Sequence, residues 1–525
     1  MSAGHVVLAA KGGGIGFAGR LFAWGSRFAL AVFLARLLGV EQYGLYNIAL
    51  TVATLASAFA VIGLDSAMIR YVAVFNARAD APQLRGSLQV GVGLPAIVGL
   101  LAGIVVVLLA GPVAEGLFHA PALAPLLRIV GLLVPAMVLN SLLSATLQGL
   151  QKIGFAVLAE QFAQPMVRFV ILVIFALMGM NAGLAILAST LSTIAITGLL
   201  FYFLFRHLPL AQLRGPAQRE PGTMLRYSLP VYFSNIVMTF SGNLQTLLLG
   251  TMSSIASAGI FAVANQIQLV GTIFHSAVVQ ASMPIFAELH DQGDRSRLAH
   301  LYQTTSKWTL SLNLPFFLMA ILFPAALLEI FGREFRDGSS ALVILAWAAI
   351  INAATGTSGA LLDMTGHTGV KLVNSTLSVA LAIALNLLLI PPLGLVGAAI
   401  AVVGSVAAVN GLRVVEVLWL VGIGPYNASF AKPLAAAVAA SAAALGIAAV
   451  LASQSTLVRA GLGILGIMIV YSGVLLALGL SEEDRLVFAR AGTRFRRLSG
   501  RGASRRKGPP PDAEPAIGSG PQQLP

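Results

Sequence analysis

The sequence predicts an all-α polytopic membrane protein with about 14 transmembrane helices. Of its 525 residues, 58% are hydrophobic and 10% are charged, whereas a soluble globular chain carries about a quarter charged residues. The hydrophobic residues fall into runs of about 20, the length at which a helix crosses roughly 30 Å of hydrocarbon. Lys and Arg are concentrated in alternate connections between these runs, which is typical of a chain that crosses the membrane repeatedly.

The apolar runs follow one another along the whole chain, and each is predicted to be one transmembrane span. Short connections rich in Gly, Pro or charged residues separate them. In order, the predicted spans are 15–38, 43–64, 87–110, 123–147, 154–178, 182–205, 226–250, 258–284, 307–331, 340–362, 369–390, 394–420, 432–452 and 457–480. The run 258–284 is the least hydrophobic of them.

The basic residues predict the orientation of the chain. Most of the Lys and Arg residues in the loops, and at the span ends beside the loops, lie after even-numbered spans. The exceptions are Arg36, Arg128, Arg333, Arg336 and Arg459. Because cytoplasmic loops carry an excess of Lys and Arg, both termini are predicted to be cytoplasmic, with the first span an uncleaved anchor. The net charge of +13 is therefore an orientation signal, and we expect no nucleic-acid partner.

The first half of the chain resembles the second at a shift of 215 residues. This shift places "YGLYNIAL" from Tyr43 on "AGIFAVAN" from Ala258, and Gly154 on Gly369. Farther along, "AGLAI" resembles "LGLVG" with the register slipped by four residues. Spans 1–6 thus match spans 7–12 in a parallel repeat, the arrangement of two-lobed alternating-access transporters. The alternative is an old duplication without a cleft between the lobes.

The repeat and the charge pattern together divide the chain into six regions. They are a cytoplasmic N-terminus (1–13), an N-lobe (14–206), a cytoplasmic linker (207–225), a C-lobe (226–421), spans 13 and 14 (431–480) and a tail (481–525). The tail begins with "SEEDRLVFARAGTRFRRL", which is either a basic amphipathic helix on anionic lipids or a solvated segment. Its Pro-rich remainder has the composition of a disordered chain.

Two arginines of the first span, Arg20 and Arg27, are candidate site residues. They lie nearly two helical turns apart and share a face, with Trp24 between them. Arg27 is about halfway across, too deep to reach the headgroups easily, so we expect it to face a hydrated cleft. Arg20 is closer to the cytoplasm, where it is either a headgroup anchor or part of a cytoplasmic mouth. Arg36 is expected to anchor the outer end.

Span 5 carries a second polar face. Glu160, Gln164 and Arg168 recur every four residues, and Pro165 is predicted to kink the helix beside them. Arg168 is near mid-depth and is a further lumen candidate. Glu160 lies about 12 Å from it along the helix axis, too far for an ion pair within the helix. Glu160 is therefore either a lumen group or an interhelical partner of an arginine in span 1.

The second lobe carries neutral amides where the first carries charge. At the 215-residue shift, the positions of Arg20, Arg27 and Arg168 hold Asn235, Gly242 and Ile383. The polar lumen candidates of spans 7 and 8 are Asn235, Asn243, Gln245, Asn265 and Gln266. Amides inside a membrane also join helices, so only part of this set is expected to face a ligand.

Several chemistries are excluded by what the sequence lacks. It has no cysteine, hence no disulfide, thiolate metal site or cysteine nucleophile. No nucleotide-binding GxxxxGK[ST] and no HExxH motif is present. The loops on the predicted outer side are short, which leaves no room for an external catalytic domain. We therefore expect a transporter rather than an enzyme, with no metal and no cofactor.

A family resemblance adds to these observations. Residues 34–73, "LARLLGVEQYGLYNIALTVATLASAFAVIGLDSAMIRYVA", resemble the N-terminal signature of the polysaccharide transporter family. This family belongs to the multidrug/oligosaccharidyl-lipid/polysaccharide exporter superfamily. The "LQGLQKIGFAVLAEQ" segment from Leu147 and the two six-span lobes are similar too. The likeness covers roughly residues 10–480.

The resemblance implies a flippase of the bacterial cytoplasmic membrane. Its substrate would be undecaprenyl-diphosphate-linked oligosaccharide, moved to the outer leaflet for O-antigen (lipopolysaccharide), exopolysaccharide or capsule synthesis. Arg20, Arg27 and Arg168 would then contact the diphosphate. The candidates for the sugars or a coupling ion are Trp24, Glu160, Gln164 and the five amides. Spans 13 and 14 would guide the lipid tail, and the partners would be membrane lipids and other polysaccharide assembly proteins.

Two rival functions stay open. A drug exporter of the same superfamily, coupled to H⁺ or Na⁺, would need negative lumen charge, and the acidic cluster of that branch has no match in the sequence. A polysaccharide polymerase acting on polyprenyl-linked chains would need a large outer loop. The sequence leaves open the glycan, the oligomeric state, and whether an H⁺ gradient, a Na⁺ gradient or the membrane potential drives transport.

Overall fold

The computed structural model describes residues 3–208 and 215–479, except for the side chains of 3–21, 23, 272 and 368. The predicted tail 481–525 and part of the predicted linker, 209–214, lie outside the described residues. Met1–Tyr471 form one compact unit. Ser472–Pro525 form a second unit, whose described part is the end of the last helix and the two residues that follow it.

The described residues form helices joined by short turns, and no strand occurs among them. The helices are α1 (Ala3–Val61), α2 (Leu64–Ala77), α3 (Ala81–Leu108), α4 (Leu123–Gly149), α5 (Ile153–Leu177), α6 (Ala182–His207), α7 (Pro221–Met252), α8 (Ile255–Asp291), α9 (Arg295–Leu322), α10 (Ser339–Ala354), α11 (Ser358–Met364), α12 (Thr368–Leu420), α13 (Ala431–Val450) and α14 (Thr456–Ala477). Shorter helical turns occupy Ala110–Pro112, Val113–Leu117, Pro324–Glu329, Arg333–Gly338 and Ala428–Phe430.

Polar residues fix where several helices begin. Each of four N-cap side chains accepts a hydrogen bond of 2.9–3.1 Å from the backbone N–H three residues later. They are Asp80 before α3, Asn181 before α6, Ser254 before α8 and Asp294 before α9. These bonds satisfy backbone donors that the first helical turn leaves free, so the helices start at these connections.

The helices agree with a polytopic membrane protein. Within the described residues, nine helical segments are long and apolar enough to cross a membrane, and α8, bent by 41° after Gly271, makes a tenth. Helices α7 and α9 lie at predicted spans 7 and 9 but are less apolar, because amide and hydroxyl residues interrupt their hydrophobic runs. The exact count of fourteen spans stays a prediction.

Two of the apolar helices are each long enough for two crossings. The apolar part of α1, Trp24–Val61, would measure about 57 Å if straight, nearly twice the hydrocarbon thickness. Its backbone breaks at Gly39 (φ 70°), and that of α12 breaks at Gly394 (φ 53°). At the 215-residue shift, Gly39 falls on Ser254, the N-cap of α8, and Gly394 falls on Gly179 (φ 91°), just before α6. Equivalent breaks in both lobes indicate that α1 and α12 each supply two spans.

The match of Gly179 with Gly394 also settles the register of the repeat at this turn. Both glycines adopt a left-handed backbone that other residues rarely tolerate, so the two turns correspond structurally. They align at the full shift of 215, without the four-residue slip that the sequence match suggested.

The contact between α1 and α8 has two-fold symmetry. A Cβ atom on Gly44 would lie 2.1 Å from the carbonyl oxygen of Ile255, and one on Gly259 would lie 2.5 Å from that of Val40. The 215-residue shift exchanges these two contacts, because it moves Gly44 to Gly259 and Val40 to Ile255. Reciprocal contacts of this kind are expected where a two-fold axis passes between equivalent elements. The two lobes therefore meet at their equivalent second helices.

Candidate functional site

Arg27 and Glu160 are groups of opposite charge type on two helices, α1 and α5, that pack against each other. Arg27 on α1 is exposed, and Trp24 one turn before it is half-buried. Glu160 on α5 lies within electrostatic reach of the Ser144 hydroxyl on α4 and of Arg27. None of the ion pairs among the described residues joins the two. The guanidinium of Arg27 is therefore attracted by a carboxylate without being paired to it, and it is open to another anion.

Aromatic contacts place this part of α1 between the two lobes. Phe22 stacks on Phe162 of α5 with ring centroids 4.8 Å apart. Phe28, next to Arg27, meets Phe331 of the second lobe edge to face at 5.5 Å. Arg27 thus lies on a helix that packs against both lobes.

The kink predicted at Pro165 is preceded by a π-helical turn, Leu158–Ala163. Proline has no N–H, and its ring clashes with the carbonyl four residues before it, so the wider turn relieves a contact that an α-helix would not accommodate. Glu160 lies inside the π-helical turn and Gln164 follows it, and both are half-buried. Proline therefore sets the local geometry of the polar face of span 5.

Arg168 is bound to hydroxyl groups inside the first lobe. Its Nη2 donates to the hydroxyl of Tyr46 and to that of Ser189, both of which are buried. Its Nε is buried without a partner, and no hydrogen bond among the described residues uses its Nη1. None of the described ion pairs includes Arg168. It is therefore a half-buried cation held by neutral groups, with donors left for an anion.

The amide candidates divide into two groups. The side-chain amide of Asn243 donates to the Thr239 carbonyl at 2.8 Å, and its oxygen accepts from Thr51 of the first lobe at 3.4 Å. Asn243 therefore joins α7 to α1. Gln245, Asn265 and Gln266 are half-buried and take part in none of the described hydrogen bonds, and Asn235 is exposed. The side chain of Arg20 lies outside the described residues.

A polar cavity of about 410 Å³ lies between α1, α2, α4 and α7, and we call it the inter-lobe cavity. Its lining residues are Thr54, Ser57, Ala58, Val61, Gly63, Asp65, Met137, Ser141, Tyr232, Asn235, Met238 and Thr239. Of the predicted site residues, only Asn235 is in this set. Because α1, α2 and α4 belong to the first lobe and α7 to the second, the cavity lies where an alternating-access site is expected.

Asp65 is the cavity residue that the sequence interpretation missed. The candidates derived from the sequence do not include it, and the structure places it half-buried in the cavity wall. One signal was available in the sequence. Thr54, Ser57, Ala58 and Val61 follow helical spacing along one face of span 2. The same spacing, continued for one more turn, reaches position 65, although in the structure a turn at Gly63 separates α1 from α2.

Comparison with known families agrees with this architecture. Residues 33–339, more than half of the chain, match the model of a family described as "Polysaccharide biosynthesis protein". The chain belongs to this family. The probable low-salt glycan biosynthesis flippase Agl15 of Haloferax volcanii is 24% identical to it over 196 residues, which are 37% of this chain and 42% of that relative. The match thus spans less than half of the relative's length.

Solved structures share the fold of this polysaccharide biosynthesis protein. The lipid II flippase MurJ in an inward closed conformation superposes with a TM-score of 0.63 at 13% identity, covering 86% of this chain and 99% of that one. An inward-facing multidrug resistance MATE family transporter gives 0.60 at 17% identity, covering 76% and 94%. The chain therefore has the fold of the exporter superfamily that the sequence predicts.

Proposed function

We propose that this polysaccharide biosynthesis protein moves undecaprenyl-diphosphate-linked oligosaccharide units from the inner to the outer leaflet of the bacterial cytoplasmic membrane. The two lobes would alternate access to the substrate, for O-antigen, exopolysaccharide or capsule synthesis. Both termini would be cytoplasmic, and no cofactor would be required. The polyprenyl tail would stay in the lipid while the headgroup crosses between the lobes.

The observation that carries the proposal is an unpaired arginine on the helix between the lobes, together with a polar cavity at the same boundary. A diphosphate cannot cross hydrocarbon alone, because burying an unpaired charge costs several kcal/mol or more. Arg27 is exposed and has no ion pair among the described residues, so its guanidinium can bind phosphate oxygens bidentately. Arg168 would offer its spare donors, and Arg20 would lie at the cytoplasmic mouth.

The membrane potential is a candidate driving force. In an inside-negative cell, outward movement of an anion is downhill by about 2.3 kcal/mol per charge for each 100 mV. A diphosphate headgroup would gain this energy during the loaded step. The return of the empty carrier would need a different source, for which an H⁺ or Na⁺ gradient is the proposal.

Reconstituted vesicles give the direct test. The purified chain should transfer a polyprenyl-diphosphate oligosaccharide across the bilayer, and Arg27→Ala should slow the transfer by roughly tenfold or more, the value of one hydrogen bond to a charged group. Arg27→Lys should be intermediate, since an ammonium group cannot bind bidentately. Arg128→Ala removes an exposed arginine on α4 and serves as the matched control. Transfer by Arg27→Ala at the control rate would contradict the proposal.

One observation favours a second function. Asp65 places a carboxylate in the inter-lobe cavity, and none of the described ion pairs includes it. A negative group in a cavity suits a cationic drug, which is the substrate class of a drug exporter. Uptake of a cationic dye by the same vesicles, abolished in Asp65→Asn and unaffected in Arg27→Ala, would establish that alternative.

A further inference from the structure

The wall of the inter-lobe cavity is rich in hydrogen-bond acceptors. The hydroxyl of Thr54 donates to the Leu50 carbonyl at 2.8 Å, and that of Ser57 donates to the Thr54 carbonyl at 2.9 Å. Both hydroxyl protons are thus used within the helix, and the oxygens present lone pairs to the cavity. Asp65 adds a carboxylate, of which Oδ1 accepts the Ser66 N–H at 2.8 Å. The cavity therefore suits a ligand that brings its own donors.

The same wall disfavours an anion. The carboxylate of Asp65 would repel a phosphate, and among the side chains that the structure describes no Lys, Arg or His lines the cavity to offset the repulsion. Tyr232 and Asn235 of α7 complete the wall with an aromatic ring and an amide. Hydroxyl donors meeting carboxylate, hydroxyl and amide acceptors beside an aromatic ring are the chemistry of carbohydrate recognition.

The position of the cavity along the membrane normal agrees with this chemistry. Its α1 residues, Thr54–Val61, belong to the predicted cytoplasmic half of span 2, whereas Arg27 is near mid-depth of span 1. A lipid-linked sugar entering from the inner leaflet has its tail in the hydrocarbon, then the diphosphate, and then the sugar toward the cytoplasm. Arg27 and Arg168 near mid-depth, and the hydrogen-bond acceptors of the cavity on the cytoplasmic side, follow the same order as the diphosphate and the sugar.

We infer that the inter-lobe cavity is a subsite for an uncharged or amino sugar of the headgroup, an inference that rests on the proposed function. Asp65 accepts hydrogen bonds from the sugar hydroxyls and excludes acidic sugars. The diphosphate binds at the arginines and not in this cavity. A uronic acid in the sugar position meets Asp65 as a like charge and binds more weakly. The subsite thus selects among glycans that share the same lipid diphosphate.

Three short-chain probes test the subsite on the purified full chain in lipid nanodiscs. They are farnesyl diphosphate, the same lipid diphosphate carrying glucose, and the same carrying glucuronate, each titrated by calorimetry. The glucose probe should bind about tenfold tighter than farnesyl diphosphate, and the glucuronate probe no tighter than farnesyl diphosphate. Asp65→Asn should reduce the difference in affinity between the glucose and glucuronate probes and leave the affinity for farnesyl diphosphate unchanged.

Asp80→Asn is the matched control. Asp80, like Asp65, lies near the predicted cytoplasmic side of the membrane. It caps the N-terminus of α3 and does not line the cavity. Its replacement should change none of the three affinities. Equal affinity of the unsubstituted chain for farnesyl diphosphate and the glucose probe, or equal effects of Asp65→Asn and Asp80→Asn, would overturn the subsite. If farnesyl diphosphate itself binds no better to the unsubstituted chain than to Arg27→Ala, the proposed function fails instead.

Discussion

Replacing Gly44 by alanine is expected to open the contact between α1 and α8. The added Cβ would lie 2.1 Å from the carbonyl oxygen of Ile255 and 2.9 Å from its carbonyl carbon. Ordinary contact starts at 3.4 Å, so the helices would have to separate by about 1.3 Å at this point. The opposing atoms are backbone, which cannot rotate away as a side chain would. The contact at the predicted outer end of the lobes therefore has to loosen.

Two energies of opposite sign decide the outcome. Alanine is favoured over glycine within a helix by about 1 kcal/mol, which alone would stabilise α1. Overpacking of a tight contact costs about 1–3 kcal/mol, and the upper part of that range applies because the neighbour is backbone. The net effect is about 1–2 kcal/mol against the closed contact, which corresponds to roughly a tenfold rise in the population of the open form.

Thiol labelling measures this population directly, because the chain has no cysteine of its own. Val263→Cys places a single thiol on α8 at a fully buried position, and a membrane-impermeant maleimide is added from outside. Gly44→Ala should raise its labelling rate about tenfold. Gly198→Ala is the control, since a Cβ there would meet no atom within 4 Å. Equal labelling rates in the two alanine variants would refute the steric argument.

Two further predictions concern stability and the linker. Tyr46→Phe removes one hydroxyl partner of the half-buried Arg168 and should lower the free energy of unfolding by about 1.5–3 kcal/mol. The control is Tyr202→Phe at an exposed site, and equal stability of the two variants would contradict the prediction. Gly86→Val should displace the linker, because a Cβ atom at position 86 would lie 1.6 Å from the Gln218 carbonyl oxygen. Limited proteolysis should then cut the linker faster, and an unchanged cleavage rate would count against the prediction.

The fold was largely predictable from the sequence because membrane helices are set by local composition. Runs of about 20 apolar residues and the bias of Lys and Arg need no tertiary information. Pro165 likewise marked the irregular turn of α5, since the missing N–H acts locally. The break at Gly39 falls in the gap between predicted spans 1 and 2, and the break at Gly394 falls on the first residue of predicted span 12. Their left-handed backbone was not readable, because glycine also occurs inside straight helices of this chain.

The site was less predictable, because neighbours across helices depend on packing. The sequence marked Arg27 and Glu160 as candidates, and the structure places them on the neighbouring helices α1 and α5. It predicted nothing about the hydroxyl partners of Arg168. Asp65 was not among the sequence candidates, because the approach of α7 that encloses it depends on packing. Depth along a span can be read from a sequence, but the helix that covers a residue cannot.

The two lobes differ in a way that supports a structural reason for the hydroxyls around Arg168. In the first lobe the guanidinium is bound by Tyr46 and Ser189. At the 215-residue shift, the three positions hold Ile383, Phe261 and Gly404. All three polar groups are thus absent together from the second lobe. Burying a hydroxyl without a hydrogen-bond partner costs free energy, and so does burying a charge without polar groups around it. The guanidinium and the two hydroxyls are therefore expected to be present or absent together. The positive charge of the first lobe is therefore built with its own support, and the equivalent positions of the second lobe need none because they are uncharged.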